Sequence, residues 1–143
     1  MRIFLVLILG FVCYLPIVNA ASPVGRWTTI DDVTGEKRAD VEFAIVNGEL
    51  QGTIVRRYLQ PGDPETCAAC PGEFKNKPIQ GLSFIWGLKE DADNTWIGGR
   101  LIDPQTGKIY RVKITLKEDK LYVRGYIGIP AVGRTQIWVH AKG

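Results

Sequence analysis

The sequence predicts an all-β fold, an eight-stranded antiparallel up-and-down β-barrel, on three observations. Short alternating or β-branched runs recur along most of the 143 residues, with almost no 3.6-residue periodicity. Gly, Asn, Asp and Pro separate the runs in hairpin-sized gaps. Glycines inside the runs, Gly52, Gly81, Gly98, Gly99 and Gly125, stand where a closing sheet needs bends or bulges. Eight hairpin-linked strands can close on themselves and remove their exposed edges. An open sandwich is the rival arrangement.

The chain begins MRIFLVLILGFVCYLPIVNA, residues 1–20. Arg2 supplies a positive start, Ile3 to Leu15 a nearly unbroken apolar run, and Val18 and Ala20 the small residues of a cleavage site before Ala21. This is a secretory signal peptide, too short for the ~20 residues of a spanning helix. Cys13 also allows a lipoprotein reading, but Val12 stands before it where a small residue is expected. Residues 21–143 then form a single β-barrel domain, a one-domain length.

Strands are expected at 24–30, 38–46, 49–58, 79–88, 94–102, 108–116, 120–127 and 134–141. In ADVEFAIV, Val41, Phe43 and Ile45 share one face; in KIYRVKITL, Tyr110, Val112, Ile114 and Leu116 do, as half-buried antiparallel strands require. Asn47-Gly48 is the strongest short hairpin signal, because both central residues of a type I′ turn need positive φ. IDDVTGE and IDPQTGK share an I-D-x-x-T-G-[EK] core, with Asp at the turn start and Gly in a left-handed position. Recurrent turn chemistry accounts for the two copies; duplication is the alternative. EDADN and KEDK supply further tight turns, leaving one long connection at about 59–78.

That connection holds Cys67 and Cys70 in a C-x-x-C. A structural zinc site needs four ligands, and the chain has one such pair and a single histidine, His140; Asp63, Glu65 and Glu73 would make unusual companions for thiolates. A redox dithiol sits at a helix N-terminus, and Pro71-Gly72 directly after the pair opposes one. A local disulfide in an oxidising compartment is the favoured reading, with the redox pair and the metal site as alternatives. So small a ring constrains the unfolded chain by only about 2 kcal/mol, so its expected job is to shape the loop.

The formal net charge of +3 falls by one when Arg2 is removed. It is small and evenly spread, which argues against nucleic acid, and no basic amphipathic stretch suggests a membrane surface. His140 lies near the C-terminus as a solvent-facing strand residue. Asp31, Asp32 and Asp103 stand at turn starts, where Asp caps backbone amides, and neither Ser22 nor Ser83 sits in G-x-S-x-G. No nucleophile-base pair, phosphate loop or metal cluster emerges, so a non-enzyme without cofactor or metal is expected.

Two resemblances add to this reading. Gly25-Arg26-Trp27 opens the first strand as a G-x-W, and Arg134 begins the last strand, which together resemble the lipocalin pattern. The resemblance implies a barrel-floor pair, Trp27 covered by Arg134, through a cation–π stack. The blocks GRWTTIDDVTGE, LQGTI, CAACPGEFKNKPIQGL, WIGGRLIDPQTGKIY and LYVRGYIGIPAVGRTQIW, from Gly25 to Trp138, are similar to those of the bacterial exported family catalogued as domain of unknown function 2147 (DUF2147). That similarity implies an exported lipocalin-like barrel and carries no activity or ligand.

The aromatic residues supply the candidate ligand site. Leu82, Phe84, Trp86 and Leu88 alternate along one run, and Tyr122, Arg124 and Tyr126 along another. They form either a filled core or a pocket of apolar walls with a few aimed polar groups. In the second case Arg124 is the expected contact for an anionic head group, with Arg111 and Arg56 as further candidates. The expected function is the binding of a small apolar or amphiphilic ligand by an exported, periplasmic or secreted protein. A filled barrel acting as an envelope or secreted protein-interaction module is the alternative.

Overall fold

The computed structural model describes residues 10–15 and 22–142. The expected signal peptide and its cleavage site fall largely outside those residues. No helix among the described residues is long and apolar enough to cross a membrane.

Eight strands follow in order: β1 (Gly25–Ile30), β2 (Lys37–Val46), β3 (Glu49–Arg57), β4 (Ser83–Ala92), β5 (Thr95–Ile102), β6 (Ile109–Lys117), β7 (Lys120–Tyr126) and β8 (Gly133–His140). Each pairs antiparallel with the next, and β8 returns to β1 through Trp27↔His140 and Thr28↔Val139. The barrel is therefore closed, as the turn pattern predicted.

Up-and-down order gives the barrel two unlike ends. The β2–β3, β4–β5 and β6–β7 turns are tight and share one end with the start of β1 and the end of β8. Asn47 and Gly48 have φ of 52° and 79°, the type I′ geometry expected of Asn-Gly. Glu118 and Asp119 adopt the same left-handed region, at 52° and 64°. This end is filled: Trp27, Val41, Phe43, Leu50, Leu88, Ile114 and Leu121 are all buried. Gly52 packs closely there: a Cβ would stand 3.0 Å from the Phe43 ring, so that ring would have to shift to admit one.

The longer β1–β2, β3–β4, β5–β6 and β7–β8 connections gather at the opposite end. The two I-D-x-x-T-G copies make the same turn. Gly35 and Gly107 donate to the carbonyls of Asp31 and Asp103 at 2.8 Å, and their φ angles are 73° and 74°. Between β3 and β4, Thr66 and Pro78 form an isolated bridge. Residues Gly72–Phe74 make one 3₁₀ turn, and Cys67 and Cys70 are joined as a disulfide. Cys67, Cys70, Ile79 and Leu82 join the barrel's own core cluster, so this connection is packed down rather than free.

One strand differs from its expected span. β4 begins at Ser83, not at residue 79, and runs on to Ala92. Gly81 is the reason: at φ +91° it breaks the extended path, and its N–H donates to Ile54 O at 2.7 Å. The β3–β4 register then slips twice, around Gly52.

Candidate functional site

A cavity of about 560 Å³ occupies the loop-end half of the barrel. Its deep part is apolar, formed by Ile54, Ile79, Phe84, Leu101, Ile102, Val123 and Trp138. Its rim is charged, with Asp31, Asp32, Asp63 and Asp103 facing Arg38, Arg57 and Arg134. Ile127 and Val132 also line it while remaining 59% and 57% exposed, so an apolar lip runs from the interior to the outside. The half-filled barrel follows from the end asymmetry: tight turns bring large side chains together at one end, and longer loops hold the other open.

Two polar networks hold the rim. Arg134 donates from Nε and Nη2 to Asp32 Oδ2 at 2.9 and 2.7 Å, and Gln136 Nε2 donates to Asp32 Oδ1 at 3.2 Å. Trp138 Nε1 continues this chain into the cavity by donating to Gln136 Oε1 at 2.9 Å. Burial pushes the Asp32 carboxyl up, but the bonds from Arg134 and Gln136 outweigh it and leave its pKa lowered. In the second network Arg38 Nη2 donates to Asp63 Oδ1 at 3.0 Å, Gln105 Nε2 reaches the same oxygen at 3.2 Å, and Gln60 N–H donates to Oδ2 at 2.8 Å. The Arg38 hydrogen bond, then the Gln60 amide, hold the Asp63 carboxyl below the usual carboxylate range. Asp31 is lowered by the backbone N–H groups of Thr34 and Val33, the turn-capping role expected of it.

The floor is built differently from the expectation. Trp27 is fully buried at the closed end and donates from Nε1 to Pro23 O at 2.8 Å. Its stacking partner is His140, with ring centroids 3.9 Å apart and planes 26° apart. Arg134 is not over Trp27. It is the second residue of β8, pairs with Gly125 and lies at the opposite end, bound to Asp32. The physical reason is strand direction: β8 is antiparallel to β1, so the residue beside Trp27 comes from the end of β8. His140 is also more than a solvent-facing residue, since its Nε2 lies 3.0 Å from Asp119 Oδ1 while its ring covers Trp27.

The five expected ligand-binding residues separate. Phe84 lines the cavity and packs near Trp138, centroids 6.5 Å apart. Tyr126 reaches the lining at the rim. Trp86 stacks on Phe74 at 5.2 Å and lines a separate outer depression with Gln51, Lys77 and Ser83. The register slips of β4 put Phe84 and Trp86 in different surroundings.

Tyr122 and Arg124 alternate with inward Leu121, Val123 and Gly125 and are absent from the lining. Arg124 donates from Nε to Pro130 O at 2.7 Å and from Nη1 to Thr135 Oγ1 at 2.9 Å. Arg124 thus binds the β7–β8 connection and the start of β8 outside the cavity, which corrects its expected role as a head-group contact. Arg111 is exposed, and Arg56 lies over the Tyr58 ring at 4.7 Å.

The arginine that β3 contributes to the cavity is instead Arg57, which the alternation of Leu50, Gly52 and Ile54 conceals. Val41 pairs with Ile54, but Asp40 pairs with Arg56 and Ala39 with Arg57. Val55 is therefore an extra residue, a bulge that turns Arg56 outward and Arg57 inward. The sequence raises Asp63 only as a companion ligand for the cysteines and Trp138 only as a last-strand aromatic, whereas both line the cavity.

The described residues contain no group of three or more His, Cys, Asp or Glu able to share a cation. A search of curated proteins finds no match. The fold is shared with a solved structure described as protein HP1028 from the human pathogen Helicobacter pylori, which belongs to the lipocalin family. The TM-score is 0.73 at 18% identity, over 85% of this chain and 84% of that one. That likeness establishes a lipocalin-like barrel. Residues 25–140 match the family described as "Uncharacterized protein conserved in bacteria (DUF2147)", and the chain therefore belongs to the DUF2147 family.

Proposed function

We propose that this protein is an exported, non-catalytic binding protein that holds a small single-tailed amphiphile inside the barrel, in the periplasm or after secretion. The observation that carries the reading is the cavity itself. Its volume, about 560 Å³, lies inside the range of about 300–1,000 Å³ usual for small-molecule sites. Its apolar depth and charged rim suit a tail and a polar head. Export is supported by the residue pattern before Ala21 and by the buried disulfide, which suits an oxidising compartment.

Native mass spectrometry of protein purified from its own host tests both parts. The expected result is a chain beginning at Ala21 that carries a small hydrophobic adduct. A chain retaining residues 1–20 removes the export reading, and an adduct-free chain that no amphiphile binds in solution removes the binding reading.

The exposed residues Ile127, Ile129 and Val132 favour the second reading, an interaction module that docks a partner on its apolar lip. Soaking with amphiphile separates the two: a carrier gives a saturable change in Trp138 emission, whereas a docking module gives none.

A further inference from the structure

We infer that Arg57 is the head-group receptor of the cavity and that the ligand's polar end is an oxyanion, a carboxylate or a phosphate monoester, on a single apolar tail. The inference rests on the binding reading above and specifies its ligand class.

The rim holds four aspartates and three arginines, but its partnerships are uneven. Asp32 is occupied by Arg134 and Gln136, and Asp63 by Arg38, Gln105 and the Gln60 amide. Asp31 accepts from the amides of Val33 and Thr34 at 2.8 Å, and Asp103 accepts from the Gln105 amide at 2.9 Å. Each carboxylate is therefore engaged. Arg57, half-buried in the same lining, makes no side-chain hydrogen bond or ion pair among the described residues. Its charge is felt at Asp63 without reaching it.

A second donor is unmet beside it. Arg38 Nη1 is buried without a partner among the described residues, and Arg38 precedes Ala39, the residue paired with Arg57. The surplus of donors is thus concentrated at the β2–β3 side of the mouth. Turning a guanidinium from water into a half-enclosed apolar cavity is unfavourable unless an acceptor meets it. Without the Val55 bulge, the same arginine would lie outside at no such cost.

Geometry also fixes the ligand's direction. Ile54, Phe84 and Trp138 lie deeper than Arg57, so a tail would run toward Trp138 with its head at the mouth. A guanidinium offers paired, charge-assisted donors that match carboxylate and phosphate oxygens. A neutral hydroxyl would accept a single hydrogen bond without charge assistance, and a cationic head would accept none.

The test is titration of the mature chain, followed by Trp emission and calorimetry, with dodecanoate, dodecyl phosphate, 1-dodecanol and dodecyltrimethylammonium. Dodecanoate or dodecyl phosphate should bind at least about tenfold more tightly than dodecanol, and the cationic probe most weakly. Which of the two anions binds better distinguishes carboxylate from phosphate. Arg57→Gln should weaken anion binding by roughly tenfold to a hundredfold, the span of a charge-assisted hydrogen bond, and change dodecanol binding far less. Arg57→Lys should recover part of the loss, and Arg111→Gln, on the outer face, should change nothing. A melting curve of Arg57→Gln matching the parent separates lost affinity from lost fold; if it melts early, the ratio of anion to dodecanol affinity still decides. Equal binding of dodecanoate and dodecanol, or an anion preference that survives Arg57→Gln, overturns the head-group assignment and leaves the tail pocket standing. Saturation by none of the four probes overturns the binding reading and this assignment together.

Discussion

At the scale of single residues, the two ends of the barrel differ in packing, one filled by buried side chains and the other holding the cavity. Trp27 has no solvent exposure, a satisfied indole N–H and a histidine stacked on its face. Trp27→Ala should therefore destabilise by about 3–5 kcal/mol, the usual cost of removing a large buried aromatic, measured by denaturant unfolding. Arg134, at the mouth, bonds an aspartate while its own side chain remains mostly solvated, where ion pairs contribute little to stability. Arg134→Ala should leave the melting temperature close to the parent and alter ligand affinity instead. A large loss of stability in this variant would show that the mouth network supports the whole barrel.

At the scale of elements, the loop end is a set of turns resting on one another. Gly107 has φ +74°, and a Cβ there would stand 2.0 Å from Ala69 O, between the two cysteines. The β5–β6 turn is thus seated against the disulfide loop. Gly107→Ala should displace residues 65–71 and strain the turn, seen as faster amide exchange in 58–82 with the floor strands unaffected. Unchanged exchange in that segment would mean the loop does not depend on this seat. Because Cys67 and Cys70 are already paired, neither should react with a thiol label in the native, unreduced protein. Reduction should loosen residues 58–82 while the hairpin strands remain folded, since those strands and their register do not pass through the disulfide.

At the scale of the whole molecule, acid should open the mouth before it unfolds the barrel. Arg38 and the Gln60 amide depress the Asp63 pKa in the folded state. The resulting stability is present above the unfolded value of about 3.9 and is lost as pH falls through the lower folded value. Asp32 behaves in the same sense. Amide exchange at residues 58–63 should accelerate below about pH 4 while the Trp27 end stays protected. Asp63→Asn should raise that exchange at neutral pH and flatten its acid dependence. An acid response identical in parent and variant would remove Asp63 from the device.

Local features were legible from the chain alone. Alternation and turn chemistry specify the strand count, the Asn47-Gly48 hairpin, the twin Asp-to-Gly turns and the pairing of Cys67 with Cys70, because these depend on neighbours along the chain. Antiparallel order even contained the fact that Arg134 and Trp27 lie at opposite ends. Which faces meet inside depends on long-range strand pairing. Extra residues at Val55 and in β4 shift the parity that strand reading relies on. They exchange Arg56 for Arg57, separate Trp86 from Phe84, and leave Arg124 to hold a loop. A bulge costs little locally and is fixed by partner strands far along the chain, so the side chains of the cavity become legible only once the barrel closes.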